Sequence, residues 1–250
     1  MSIKSPLLFL LVFFSFISFT IAVEQQKPNK HTLPAFSAKY TVLHKSDPVG
    51  TAVRQLSYQV DGNVNYHYET YIEWLIFSQT RSETSIVTIN NNQVMPLHYK
   101  YSREGTGKDK YYEWRYDASK NLAKDVERKR EHTIDFSDNL QDKLSYHLQH
   151  RLNLIADAKQ ESYIYSVINT SGSIKDYIYQ YDGEEELILP YGLVKTIRFK
   201  REIKERMTYA WFSPELNYLL VKLYQVKAGN EQFEAQLLSF TMEDNATEKE

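Results

Sequence analysis

His147 and His150 are the first pair in this sequence whose types and spacing could do chemistry. Imidazoles at i and i+3 on a helix can share a metal ion, provided a third ligand is in reach. No Asp or Glu stands at the next matching position and the chain has no cysteine, so no metal site is expected. The two histidines read instead as polar residues beside a buried apolar stripe. His31, His44, His67, His98 and His132 are scattered singly. Glu184-Glu185-Glu186 follows Asp182-Gly183, and an acidic run at a hairpin reads as a solvated turn rather than a cation site. The mixed-sign runs at 127–132 (ERKREH) and 200–206 (KREIKER) read as exposed strand ends. Gly105-Thr106-Gly107 is not carried by a strand-to-helix step, and no serine sits in a Gly-x-Ser-x-Gly elbow. No nucleophile, base and orienting group can be assembled, so neither a catalytic residue nor a cofactor is expected.

The aromatic rows are more suggestive. Tyr66, Tyr68 and Trp74 share one strand face, and Tyr112, Trp114 and Tyr116 share another. Such rows either fill a core or line an apolar ligand site. The candidate lining is therefore Tyr66, Tyr68, Trp74, Tyr112 and Trp114, facing Leu140, Leu144, Leu148 and Leu152.

Those leucines are spaced four apart within residues 137–158, with Ile155 beside them. At about 100° per residue they form one stripe, with Gln141, Asp142, Gln149 and Asn153 largely elsewhere, which predicts an amphipathic helix. Asp138 followed by Gln141 has the spacing of a capping box. Nearly everything else alternates with period two. Phe36, Ala38, Tyr40 and Val42 share a face, turns are expected at 45–50, 61–62 and 90–92, and the stretch 122–136 reads as one strand. Residues 218–226 are apolar on both faces, as in a strand covered on both sides. The expected fold is mainly β: a large curved antiparallel sheet or open barrel of about a dozen strands, with the one amphipathic helix packed on its concave face. Twenty tyrosines suit half-buried strands of this kind.

The start of the chain sets the expected compartment. Lys4, an apolar run over 7–19 and Thr20-Ile21-Ala22 have the layout of a secretory leader cut after Ala22. An uncleaved N-terminal anchor is the alternative, because the uncharged run approaches the ~20 residues a membrane helix needs. The organisation expected is a leader (1–22), a polar tether (23–34), a single β-rich domain (35–242) and a disordered tail (243–250), located in the periplasm. A net charge of −2 gives no electrostatic reason to bind nucleic acid. Without cysteine there is no disulfide, no thiolate chemistry and no lipid-modified cysteine at the leader junction.

Several short motifs, taken in order, resemble the domain of unknown function 3108 family of exported bacterial proteins. They are Pro34-Ala-Phe-Ser-Ala-Lys-Tyr, Pro48-Val-Gly-Thr-Ala, Pro96-Leu-His-Tyr, Asp142-Lys-Leu-Ser-Tyr, Leu189-Pro-Tyr-Gly and Trp211-Phe-Ser-Pro-Glu-Leu-Asn-Tyr-Leu-Leu-Val-Lys. The resemblance implies a cell-envelope protein, and by fold analogy a half-barrel like those of lipoprotein carriers. The function expected is non-enzymatic binding or carriage of an apolar ligand, or docking of an envelope partner. The alternatives are an assembly factor with a filled core and, behind it, a hydrolase.

Overall fold

The computed structural model describes residues 33–136 and 139–243. The expected leader, the tether up to residue 32, the proposed cap Asp138 and tail residues 244–250 lie outside them. Eight strands come first: β1 (Phe36–His44), β2 (Asp47–Tyr58), β3 (Val64–Trp74), β4 (Phe77–Asn90), β5 (Gln93–Gly105), β6 (Lys110–Asp117), β7 (Leu122–Asp125) and β8 (Arg130–Thr133). The helix α1 (Ser145–Ala156) follows. Six strands complete the fold: β9 (Ser162–Ile168), β10 (Ile174–Leu189), β11 (Gly192–Ile203), β12 (Arg206–Ser213), β13 (Leu219–Lys227) and β14 (Asn230–Met242).

All fourteen belong to one antiparallel sheet, ordered β8-β7-β6-β5-β4-β3-β2-β1-β14-β13-β12-β11-β10-β9. The chain works outward from the middle to one edge, crosses with the helix, and returns from the other edge. β1 and β14 join the halves in the middle, with Phe36 opposite Met242 and Tyr40 opposite Leu237. The mainly β, open, one-helix architecture is the one that the alternation predicts. Phe36, Ala38, Tyr40 and Val42 are all buried, as their shared parity requires.

Several boundaries differ from the sequence reading. The first hairpin turns at Lys45 and Ser46, both with positive φ (51° and 70°), and Pro48 and Gly50 already belong to β2. That is the two-residue turn whose twist matches its strands. Gly50 has a different role: a Cβ there would stand 2.0 Å from the Tyr71 carbonyl oxygen. The stretch 122–136 divides into β7 and β8, because Asp125 accepts from the Arg128 amide (3.0 Å) and Lys129 takes positive φ. Asp182-Gly183 is a bulge inside β10 rather than a hairpin, so Glu185 is not in a solvated turn. Its Oε1 accepts from Arg198 (2.7 Å) and from the Trp211 indole (2.8 Å). In β13 only Leu219, Leu220 and Val221 are buried in succession, and the strand opens toward solvent beyond them.

The helix is shorter and more deeply buried than its stripe suggested. Residues 139–144 are not helical, because the Gln141 backbone pairs with the edge of β9: its amide donates to Ser166 O and its carbonyl accepts from Ile168 (both 2.9 Å). Asp142 takes the first free amides instead, accepting at Oδ1 from Leu144 and Ser145 (both 2.7 Å), while Ser145 Oγ accepts from the Asp142 amide (2.9 Å). This reciprocal pair does what a capping box does. The expected polar face is inside as well. Gln149 accepts from the Val94 amide (2.7 Å), Gln141 donates to the Val94 carbonyl (2.7 Å), and Arg151 donates to Asn217 O (2.9 Å). The polar side chains thus fasten the helix to β5 on one side and to the turn before β13 on the other. Leu144, Leu148 and Leu152 pack into one core that draws on both halves of the sheet, and Tyr146 and Leu154 into a second with β9–β13. No helix among the described residues is long and apolar enough to cross a membrane.

Candidate functional site

The two cores do not fill the space between helix and sheet. A cavity of about 700 Å³ remains beside the first turn of α1, within the range of small-molecule sites. Arg81 from β4 and Tyr177 from β10 both border it. Those strands stand eight places apart in the sheet, roughly 38 Å if it were flat at ~4.8 Å per strand. The sheet must therefore curl around the cavity.

Arg54 on β2 is the most deeply set cation in the wall, 6% exposed. Its Nη1 donates to the Tyr66 hydroxyl (3.2 Å), and its guanidinium stands 5.2 Å from the centre of the Tyr68 ring. Arg81 lies 6.0 Å from the same ring and 5.3 Å from Tyr101. It pairs with Glu83, a buried carboxylate that also accepts from the Tyr99 hydroxyl (2.6 Å). Across the cavity, Arg201 on β11 donates to the Tyr146 hydroxyl (2.9 Å) and lies 4.5 Å from the Tyr177 ring. The helix contributes Tyr146 and His147, and the two residues just before it contribute Lys143 and Leu144. Leu220, Leu223, Phe233 and Ala235 supply an apolar flank, and Lys204, Glu205, Arg206 and Lys227 form an exposed rim.

The charges in this wall perturb one another. Burial holds the His147 imidazole well below its usual range, and Arg54, Arg201, His150 and Arg81 push the same way. Burial lowers Lys143; Glu83 opposes this, while Arg81, Arg201 and Arg206 add to it. Burial, and then the cations that crowd the same space, shift both groups toward their neutral forms.

His150, the other half of the histidine pair, points away from the cavity. It is enclosed by Tyr163, Tyr165, Tyr179, Phe199 and Phe212, with Nδ1 2.9 Å from the Tyr165 hydroxyl. Burial pulls its pKa down to about 3, with Arg201 adding to the shift. The two histidines thus face different surroundings.

A family model described as protein of unknown function (DUF3108) matches residues 36–236. The chain belongs to the DUF3108 family. The matched stretch opens on the first residue of β1 and runs into β14, so it spans the whole sheet. No curated protein matches the sequence. Among solved structures, this DUF3108 chain is similar to a β-barrel-like protein of the domain of unknown function DUF1849 from Brucella abortus. The two share 11% identity and a TM-score of 0.53 over 85% of this chain and 99% of that one. At that identity the likeness is one of fold. A candidate lipoprotein from Parabacteroides distasonis is 11% identical over 84% of this chain and 96% of its own, and its TM-score of 0.34 is too low to equate the folds.

Of the lining residues expected from sequence, Tyr68 and Leu144 border the cavity in this DUF3108 chain. Tyr66 is buried behind it and holds Arg54. Leu148 and Leu152 lie in the packed core, and Leu140 borders a separate space of about 50 Å³. Trp114 is buried against His132, and Tyr112 packs at a tilt against Tyr101 under Arg128. Trp74 sits at the end of β3 against His44, 47% exposed. The arginines were missed, and the run at 200–206 read as exposed holds Arg201, half-buried in the cavity wall, beside Arg206 on the exposed rim. Parity was the available signal. Arg54 shares a face with the buried Ala52 and Leu56, and Arg201 with Phe199 and Ile197.

Proposed function

We propose that this DUF3108 protein is a non-catalytic binding module that works in the cell envelope after export and holds a small ligand inside its curled sheet. The observation that carries this reading is the cavity of about 700 Å³ walled by both halves of the sheet and the start of α1. An assembly factor with a filled core would have no such space. Binding is favoured over turnover because Glu83, the buried carboxylate of the wall, is already engaged by Arg81 and Tyr99. The leader-like sequence at 1–22 supports an exported location, with the tether and single β-rich domain following it.

Native mass spectrometry of the protein purified from the periplasmic fraction tests the proposal. A discrete bound mass of a few hundred daltons, lost on denaturation, is the expected result. Absence from that fraction would overturn the location, and an empty protein under gentle conditions would count against the binding role.

A further inference from the structure

We infer that the ligand carries an anionic oxygen group, a phosphate or carboxylate, that seats among the guanidinium groups of Arg54, Arg81 and Arg201, with its remainder against the apolar flank. This rests on the binding reading above and names the chemistry of the occupant.

The first ground is unmatched charge. No carboxylate stands within 4 Å of Arg54 or Arg201 among the described residues; each has a tyrosine hydroxyl as its side-chain hydrogen-bond partner, Tyr66 and Tyr146 respectively. A buried cation without a counter-charge is costly, and ring faces offset only part of that cost. A fold that sets such groups around a ligand-sized space leaves the counter-charge to what enters it. The second ground is spare donors. Each guanidinium engages one Nη in a side-chain hydrogen bond, to Tyr66, Glu83 and Tyr146 in turn, and the buried Nε atoms have no partner within the protein. Planar guanidinium forks match the oxygens of phosphate and carboxylate in pairs.

The groups also converge. Arg54 and Arg81 share the Tyr68 ring. Arg54, Arg81 and Arg201 all act on His147, at the first turn of the helix. The exposed rim adds Lys204, Arg206 and Lys227 against Glu205, a positive approach that would draw an anion inward. On the strands between those of Arg54 and Arg201, Leu220, Leu223, Phe233 and Ala235 offer nothing to an anion and suit a hydrocarbon portion. An acidic head and an apolar body together fit this wall.

The test titrates the full chain, purified after export and stripped of bound material, with monododecyl phosphate, inorganic phosphate and dodecyl maltoside. Dodecyl phosphate is expected to bind at least tenfold more tightly than the maltoside of equal chain length. Arg54→Met and Arg201→Gln should each weaken dodecyl phosphate about ten- to hundred-fold, the worth of a charge-assisted hydrogen bond, and leave the maltoside unchanged. Arg54→Met without ligand should melt no lower than the parent, because it removes an unpaired buried charge. Either arginine variant suffices if the other fails to fold. Competition by inorganic phosphate would identify a free anion as a sufficient occupant; no competition would identify the headgroup of an amphiphile. Both results sustain the anionic assignment. Equal affinity for the charged and neutral amphiphiles would overturn it and leave a carrier for apolar ligands. Binding of none of the three would bring down the carrier reading as well.

Discussion

His150 lies nearly flat on Tyr179, with ring centroids 4.4 Å apart and planes 17° from parallel. A charged imidazolium cannot be solvated there, and its pKa of about 3 expresses that. The unfolded chain, with a histidine near 6.5, binds the proton that the folded chain refuses between about pH 6.5 and 3. Stability is therefore lost as pH falls through this window, by about 2 kcal/mol at pH 5 from His150 alone. His147 is shifted in the same direction. Urea denaturation of the parent and of His150→Phe at pH 7 and pH 5 checks this; the variant should lose less on acidification.

Asp142 has the opposite sign. Burial raises its carboxyl to about 6, against the hydrogen bonds from Ser85, Ser145 and Leu144 that favour the charged form. Its folded pKa lies above its unfolded value, so its contribution is greatest below about pH 4 and fades as pH rises to about 6. Asp142→Asn keeps an acceptor for the first amides of α1 and should remove that slope with little loss at pH 7. Asp142→Ala removes the cap and should cost about 1–2 kcal/mol. Melting curves across pH 4–7 separate the two substitutions, and equal loss from both would refute the capping role.

Leu148 is 1% exposed and belongs to the larger core between α1 and the sheet. Leu148→Ala should cost about 2–5 kcal/mol by leaving a cavity. Leu148→Asp should prevent folding, since the new carboxylate would have no partner. A cooperative melt at the parent's temperature in the aspartate variant would be incompatible with this packing.

Gly50 tests the register of β2 against β3. Its Cα faces Ile72, and an added Cβ would meet backbone atoms rather than a movable side chain. Gly50→Ala should lower stability by about 1–3 kcal/mol, as overpacking does. Chemical denaturation is the measurement, and an unaffected midpoint would show that the two strands do not approach so closely.

Alternation alone made the sheet legible, because one buried face imposes a period of two on every strand that shares it. Phe36 through Val42 and the Asn91-Asn92 turn needed no tertiary information. The leucine stripe likewise announced a docked helix, but its start could not be read: the Gln141 backbone goes to β9, a partner distant in sequence. The site was obscured for a related reason. Leucine and tyrosine on an inward face fit a packed core, whereas arginine reads as surface unless its parity is weighed against its neighbours. Arg54, between Ala52 and Leu56, carried that signal; Arg201 carried it inside a run of charges that hid it. Which inward residues border open space depends on how the halves of the sheet curl toward each other, and no local pattern encodes that.

The ladder between β1 and β14 joins residues about two hundred positions apart, and the Glu243 amide still reaches Ala35 O (2.9 Å) beyond it. A chain emerging from the ribosome therefore makes the middle of its wall last, by the slowest kind of pairing. Until β14 arrives, β1 presents a bare row of amides and carbonyls, open to capture by another copy. The seam in the centre, rather than either rim, is where a nascent molecule is most vulnerable to its neighbours.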